Sequence, residues 1–180
     1  MERRSFLKWF FHGLGAAFTA TLGVPALMYL LDPRNRPAPP GAFKTVGKLS
    51  ELKPGVPLQA IIREVRTDAW TLHPNDVIGR VWLVRGEGEK VSAFTTICPH
   101  LGCSVNFLPE SGYFQCPCHN GMFDTSGSLR HEPGKDNPAP RGMDELEVKL
   151  VVDAADPKEK LVQVKYESFT QGIPEKKLRT

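Results

Sequence analysis

The sequence predicts an all-β domain that follows a single membrane-spanning helix. An apolar run without charged residues lies near the N-terminus and is long enough to cross a bilayer. Short segments rich in Val and Ile follow it, separated by Gly, Pro, Asp and Asn. No stretch of this later part has the length and period of a soluble amphipathic helix. A chain of 180 residues is the size expected for one globular domain with an appendage.

Residues 1–8 form a short basic N-terminus, which we expect to lie in the cytoplasm. Arg3-Arg4-Ser5-Phe6-Leu7-Lys8 resembles the twin-arginine signal, which directs the export of folded proteins. An ordinary basic flank of a membrane helix is the alternative interpretation. In either case the positive charges should stay inside, which places the rest of the chain on the outer face of a bacterial cytoplasmic membrane.

Residues 9–31 are predicted to be a transmembrane anchor. These 23 residues contain no Asp, Glu, Lys or Arg. A helix of this length would be about 34 Å long, enough to span a hydrocarbon core of roughly 30 Å with some tilt. A cleaved signal peptide is the alternative, but the apolar run is long for one and no clear cleavage site follows it. We therefore expect one uncleaved, single-pass helix in the lipid bilayer.

Residues 32–44 are predicted to be a proline-rich tether. Four prolines lie within residues 32–41, which excludes a regular helix. In polyproline geometry these ten residues would extend over roughly 31 Å. Composition supports a spacer that lifts the domain away from the lipid.

Residues 45–170 are predicted to be the β domain, and residues 171–180 an exposed C-terminal tail that could pack on a partner. The last two predicted strands should pair as an antiparallel hairpin across residues 153–160. Five segments are expected to be strands: Leu58–Val65, Arg80–Val84, Val91–Thr95, Glu147–Val152 and Leu161–Lys165.

Two short motifs carry the chemistry of this chain. The first box is Cys98-Pro99-His100-Leu101-Gly102-Cys103, and the second box is Cys116-Pro117-Cys118-His119-Asn120-Gly121. Together they hold all four cysteines and two of the five histidines. Each box offers a thiolate and an imidazole at short spacing, and two thiolates with two imidazoles can hold a [2Fe–2S] centre in which the histidines ligate one iron.

Two other kinds of site use the same residue types. A structural zinc site also uses Cys and His but prefers the spacings C-x₂₋₄-C and H-x₃₋₅-H. A framework of two disulfides would leave both histidines without a role.

The two boxes resemble those of Rieske iron–sulfur proteins, and in particular the subunit of cytochrome bc-type quinol–cytochrome c reductases. The resemblance implies a β-sandwich base with an inserted cluster-binding subdomain, here at about residues 94–141. It implies that Cys98 and Cys116 bind one iron of a single [2Fe–2S] cluster and that His100 and His119 bind the other. It also implies a disulfide between Cys103 and Cys118, which would place the domain in an oxidising compartment.

The resemblance also assigns roles around the cluster. His119, with His100 beside it, is expected to hydrogen-bond the quinol and to couple proton and electron uptake, because reduction raises the proton affinity of a ligating imidazole. Leu101 should cover the cluster and meet the apolar quinol pocket. Pro138 and Pro140, in Pro138-Ala139-Pro140, resemble the proline loop that forms a further cover, although a simple surface turn is an alternative of similar weight.

Two positions depart from the pattern of many ubiquinol-linked members. Gly121 and Phe123 occupy places where those proteins carry a serine and a tyrosine, whose hydroxyl groups donate hydrogen bonds to sulfur and stabilise the reduced cluster. Loss of both donors should lower the potential within the Rieske range of about −150 to +300 mV. A low-potential donor such as menaquinol would match this.

The resulting hypothesis is a Rieske subunit that transfers an electron from menaquinol, at a cytochrome b-type subunit, to a c-type cytochrome, with protons released outside. We expect it to act as the electron-transfer subunit of a dimeric, multi-subunit complex and not to be catalytic alone. The alternative is the small Rieske subunit of an arsenite oxidase-like molybdoenzyme. A net charge of +3 is too small to indicate nucleic-acid binding.

Overall fold

The computed structural model describes residues 2–31, 42–67 and 71–179. The chain divides into two compact units, residues 1–38 and 39–180. The first contains one helix, α1 (Arg3–Leu30), with Pro25 inside it. By length and composition α1 could cross a membrane. It begins six residues before the predicted anchor and so includes the arginine pair. Residues 32–41, which contain most of the predicted tether, lie outside the described residues.

The described residues of the second unit form ten strands and one 3₁₀ turn, Leu49–Glu51. All five predicted strands are present. The structure places Phe43 and Lys44 in the first strand, where the sequence predicted tether. The strands are β1 (Phe43–Lys48), β2 (Leu58–Thr67), β3 (Leu72–Arg85), β4 (Val91–Thr95), β5 (Asn106–Leu108), β6 (Tyr113–Gln115), β7 (Met122–Phe123), β8 (Glu145–Leu146), β9 (Val148–Val152) and β10 (Lys160–Lys165).

Two sheets form the base of the domain. One has the order β1-β10-β9 and the other β2-β3-β4-β8. β9 and β10 pair antiparallel, as the sequence predicted, with Val162 opposite Leu150. Alternate residues of β2 and β10 point inward because side chains of a strand alternate between its two faces. These residues from both sheets share one aliphatic core, whose fully buried members are Ile62, Val81, Ala93, Val162 and Val164.

A smaller sheet, β5-β6-β7, lies in the chain between β4 and β8. It has its own core, in which Phe94, Phe114 and Phe123 are buried. Trp82, on β3 of the base, packs against this core and donates from its indole nitrogen to the carbonyl of Val105 at 2.9 Å. The inserted subdomain is thereby joined to the base by an aromatic contact and a hydrogen bond. The two boxes lie at either side of β5 and β6.

Residues 171–179 lie at the surface of the domain. Most of residues 171–179 are exposed to some degree, but their backbone is hydrogen-bonded to the rest of the domain. The amide of Gly172, for example, donates to the carbonyl of Pro99 in the first box at 2.8 Å.

Candidate metal centre

Each box is closed by a backbone hydrogen bond, and the two bonds are equivalent in position. In the first box the amide of Cys98 donates to the carbonyl of Cys103 at 2.8 Å, and in the second the amide of Cys116 donates to the carbonyl of Gly121 at 2.8 Å. Both bonds span five residues. Each box also contains one residue with positive φ, Gly102 at 84° and Asn120 at 57°. These are residue types that tolerate the left-handed region, which lets each loop turn back on itself.

A disulfide between Cys103 and Cys118 ties the boxes together. The Cα atoms of the two residues lie 6.5 Å apart. The sequence separation is 15 residues, for which the chain-entropy estimate of the stabilisation is about 3 kcal/mol. The bond therefore fixes the position of one box relative to the other.

Cys98 and Cys116 remain as free thiols, and both are buried. Burial raises the pKa of the Cys98 thiol to about 11. Hydrogen bonds from the backbone of His100 and Leu101 lower it, and the nearby Cys116 thiol raises it further. A thiol with this pKa stays protonated at neutral pH, so a metal ion must displace the proton for sulfur to become a ligand. The backbone donors around Cys98 are then placed to stabilise the thiolate.

The two imidazoles lie beside each other. The ring centroids of His100 and His119 are 4.9 Å apart, and the rings are nearly perpendicular, at 80°. His119 is exposed, whereas His100 is partly buried. One ring edge of each residue can therefore face inward while the other meets solvent or a partner.

The sulfur atoms of Cys103, Cys116 and Cys118 lie within 4.8 Å of one another. This trio is not a metal site, because two of its sulfur atoms are joined in the disulfide and have no thiolate to offer. The thiols of Cys98 and Cys116 and the two imidazoles form the remaining donor set. Soft sulfur donors together with imidazoles fit iron–sulfur ligation of the Rieske type.

The proline loop is fixed against β7, the strand directly after the second box, by a residue that sequence reasoning missed. The side-chain amide of Asn137 donates to the carbonyl of Met122 at 2.6 Å and to that of Arg130 at 3.1 Å. Its oxygen accepts from the amide of Ala139 at 3.1 Å. Ala139 is buried in the aromatic core, while Pro138 and Pro140 on either side are partly buried. The Asn-Pro dipeptide was the available signal, since it is typical of a turn.

Leu101, at the turn of the first box, is 66% exposed. An apolar side chain at this level of exposure, directly after His100 in the chain, offers a contact for an apolar ligand or partner.

The departures at Gly121 and Phe123 lie next to the second box thiol. A Cβ atom on Gly121 would be 3.7 Å from Cβ of Cys116 and 3.6 Å from Cζ of Phe123. These are ordinary contact distances, so position 121 has room for a side chain. Neither residue carries a hydroxyl group that could donate to the sulfur.

Known proteins match this chain over most of its length. A family model described as the Rieske [2Fe-2S] domain matches residues 43–154. The chain is 29% identical over 172 residues to the menaquinol:cytochrome c reductase iron-sulfur subunit of Bacillus subtilis (strain 168), covering 88% of this chain and 95% of that protein. It is 28% identical over 152 residues to the subunit of the same name in Geobacillus thermodenitrificans, with coverages of 83% and 87%. It is 27% identical over 132 residues to the cytochrome b6-f complex iron-sulfur subunit of Chlorobaculum thiosulfatiphilum, with coverages of 73% and 64%.

Proposed function

The chain belongs to the Rieske [2Fe-2S] family, and on that premise we propose that it is the iron–sulfur subunit of a menaquinol–cytochrome c reductase. The observation that carries the proposal is the pairing of the two boxes. Closed by equivalent hydrogen bonds and joined by a disulfide, they bring two buried thiols and two adjacent imidazoles to one end of a β domain.

Four residues would hold the cluster. Cys98 and Cys116 are proposed to bind one iron, because they are the two cysteines left free by the disulfide. His100 and His119 are proposed to bind the other iron through one ring nitrogen each. When bound, the [2Fe–2S] group accepts and returns one electron.

The imidazoles are proposed to accept the proton of the quinol hydroxyl group. The ring nitrogen of His119 that does not bind iron would accept a hydrogen bond from the quinol hydroxyl group and then hold its proton, and His119 is exposed as this role requires. His100, 4.9 Å away between ring centroids, could act in the same way at its open edge. Leu101 would exclude water from one side of the bound quinol, since its apolar side chain is exposed and follows His100 in the first box.

The subunit is proposed to need partners for turnover. Its proton-carrying groups and Leu101 lie at the surface, so the apolar ring of the quinol would be enclosed by walls from a cytochrome b-type subunit. A c-type cytochrome would accept the electron on the outer face, in a dimeric multi-subunit complex. Helix α1 supplies a single membrane anchor, and the positive-inside tendency of Arg3, Arg4 and Lys8 would keep the N-terminus in the cytoplasm.

Menaquinol is favoured over ubiquinol by two independent observations. Gly121 and Phe123 provide no hydroxyl donors near Cys116, which should lower the potential. Two relatives that match most of the chain carry menaquinol in their names.

Purification of the full chain from membranes tests the proposal. We expect visible absorption and a Rieske-type electron spin resonance signal after reduction, with a b-type cytochrome in the same fraction. Cys98→Ser and His119→Ala should abolish the signal, whereas His131→Ala, at an exposed histidine outside both boxes, should retain it. A colourless protein that contains zinc would contradict the proposal. Co-purification with a molybdenum subunit would instead assign the chain to an arsenite oxidase-like molybdoenzyme.

A further inference from the structure

Residues 168–179 form a compact C-terminal hairpin, which lies beyond the residues matched by the family model. Phe169 pairs with Leu178 in an antiparallel bridge. Two backbone hydrogen bonds of 2.8 Å close the hairpin, from the amide of Thr170 to the carbonyl of Lys177 and from the amide of Arg179 to the carbonyl of Ser168. The segment therefore has a defined conformation of its own.

One end of the C-terminal hairpin is fixed in the base. Phe169 is 4% exposed and belongs to the aliphatic core that the two sheets share. The Lys176 ammonium lies 4.6 Å from the centroid of the Phe169 ring and donates to the carbonyl of Glu145 at β8. These contacts hold the hairpin against the base of the domain.

The turn of the C-terminal hairpin contacts the first box. The amide of Gly172 donates to the carbonyl of Pro99 at 2.8 Å. Gly172 has a φ of 77°, and a Cβ there would lie 3.6 Å from the carbonyl oxygen of His100. The neighbouring Gln171 side chain lies 3.9 Å from the Cβ position of Gly102. The hairpin turn thus borders the backbone of the box that carries His100 and Leu101.

Arg141, directly after the proline loop, fixes this turn. Its Nε and Nη2 atoms donate to the two carboxylate oxygens of Asp144 at 2.9 and 2.8 Å. Nη2 also donates to the carbonyl of Thr170 at 2.9 Å, and Nη1 donates to that of Ile173. The side chains of Arg141 and Asp144 are 10% and 4% exposed. The guanidinium charge is therefore neutralised by one carboxylate and used to orient two carbonyls on either side of Gly172.

We propose that Arg141 is a positioning residue for the first box: it fixes the C-terminal hairpin, whose Gly172 amide holds Pro99 and so sets the placement of His100 and Leu101. The inference rests on the proposed ligation of the cluster by the two boxes. A lysine cannot replace this arginine in full, because one ammonium group lacks the planar fork that serves a carboxylate and two carbonyls together.

Two variants of the detergent-purified protein, one of them shortened at its C-terminus, test this proposal. Arg141→Ala removes the fixing side chain. A chain ended at Gln171 keeps Arg141, Asp144 and Phe169 but lacks the Gly172 amide. Arg130→Ala is the matched control, since Arg130 is a partly exposed arginine of the same subdomain, ion-paired with Asp124 and Glu132.

Two measurements report on the first box. Amide hydrogen exchange of residues 96–105 is followed by mass spectrometry, with β9–β10 as the internal reference. The rate at which a chelator bleaches the cluster is followed by visible absorption. We expect Arg141→Ala and the shortened chain each to accelerate both processes about threefold to tenfold, the range for loss of the one hydrogen bond that the Gly172 amide donates to the first box. Arg141→Lys should lie between Arg141→Ala and the unaltered protein.

The combined variant decides whether both changes act by one route. If they do, hydrogen exchange and cluster bleaching in the combined variant should be no faster than in the faster of the two single variants, because the effects of coupled changes do not add. Effects that add, or a shortened chain that exchanges at the unaltered rate, would overturn the proposal. If Arg141→Ala fails to fold, the shortened chain decides alone. An unaltered protein without a cluster would contradict the proposed function, and hydrogen exchange would still test the role of Arg141.

Discussion

The base and the cluster-binding subdomain are stabilised in different ways. The base has strands of up to 14 residues and a core made mostly of Leu, Ile, Val and Ala. The subdomain has strands of two or three residues, and its core consists mainly of Phe, Met and Cys, with Trp82 packed against it. Its two boxes are joined by a covalent bond.

This difference indicates how each region resists change. Long paired strands distribute the stability of the base over many similar contacts. The subdomain depends on two particular links, the disulfide and the hydrogen bonds of the Asn137 amide. We therefore expect changes in the base to act on the whole domain and changes in the subdomain to act first on the metal loops.

The largest effect should come from the aliphatic core. Ile62 is fully buried on β2, so Ile62→Ala should lower the free energy of unfolding of the whole domain by about 2–5 kcal/mol. Ile61, the preceding residue, is 41% exposed, and Ile61→Ala should lower the free energy of unfolding clearly less. Denaturant unfolding followed by far-ultraviolet circular dichroism measures both. Equal losses for the two variants would contradict the assignment of the inward face.

Removal of the disulfide should separate the two regions. The free energy of unfolding of the double variant Cys103→Ser/Cys118→Ser should be about 3 kcal/mol lower, which is the chain-entropy estimate for this loop. Because the bond joins only the boxes, we expect cluster absorption to disappear at a lower denaturant concentration than the β-sheet signal. In the unaltered protein the two transitions should coincide more closely. Simultaneous loss of both signals in the double variant would show that the regions unfold as one unit.

A matched pair of glycines tests the close packing of the subdomain. Both have positive φ, 77° at Gly127 and 75° at Gly134. A Cβ on Gly127 would lie 2.5 Å from Cε1 of Phe94, whereas Gly134 has open space. Gly134→Ala should lower the free energy of unfolding by about 1 kcal/mol, from backbone strain alone. Gly127→Ala should cost about 1–3 kcal/mol more because the buried ring cannot move freely, and thermal unfolding measures the difference.

The smallest effect concerns the potential. Gly121→Ser should place a hydroxyl group near Cys116, and a hydrogen bond that favours the reduced cluster by about 1 kcal/mol would raise the potential by about 40 mV. Gly121→Ala is the control, since it adds the Cβ without the donor. A redox titration compares the two variants. If the serine and alanine variants have the same midpoint potential, no such hydrogen bond forms.

Sequence reasoning worked best where side-chain type carries the information. Val and Ile runs predicted the base strands, and the spacing of Cys and His identified the boxes. It missed β1, where Gly47 interrupts the alternation and the pairing with β10 shifts register. It also missed the first half of β3, which contains Pro74, Asn75 and Asp76, residues that usually end strands. That half lies beyond the part of β3 that pairs with β4.

The rest of the site depends on backbone groups that leave little trace in a sequence. The contact between Gly172 and Pro99 uses an amide and a carbonyl, which every such pair of residues possesses. Strands of two or three residues are too short to show a period. The spacing of Arg141 and Asp144 is visible in the sequence, but their burial and the carbonyls that Arg141 orients are set by the tertiary structure.

The contact between the C-terminal hairpin and the first box also imposes an order on biosynthesis. Residues 168–179 leave the ribosome after both boxes, so the backbone around His100 has its native support only once this later segment has been translated. A nascent chain halted between the second box and the hairpin would contain every proposed ligand and still lack that support. Maturation of the centre would then follow translation of the whole domain.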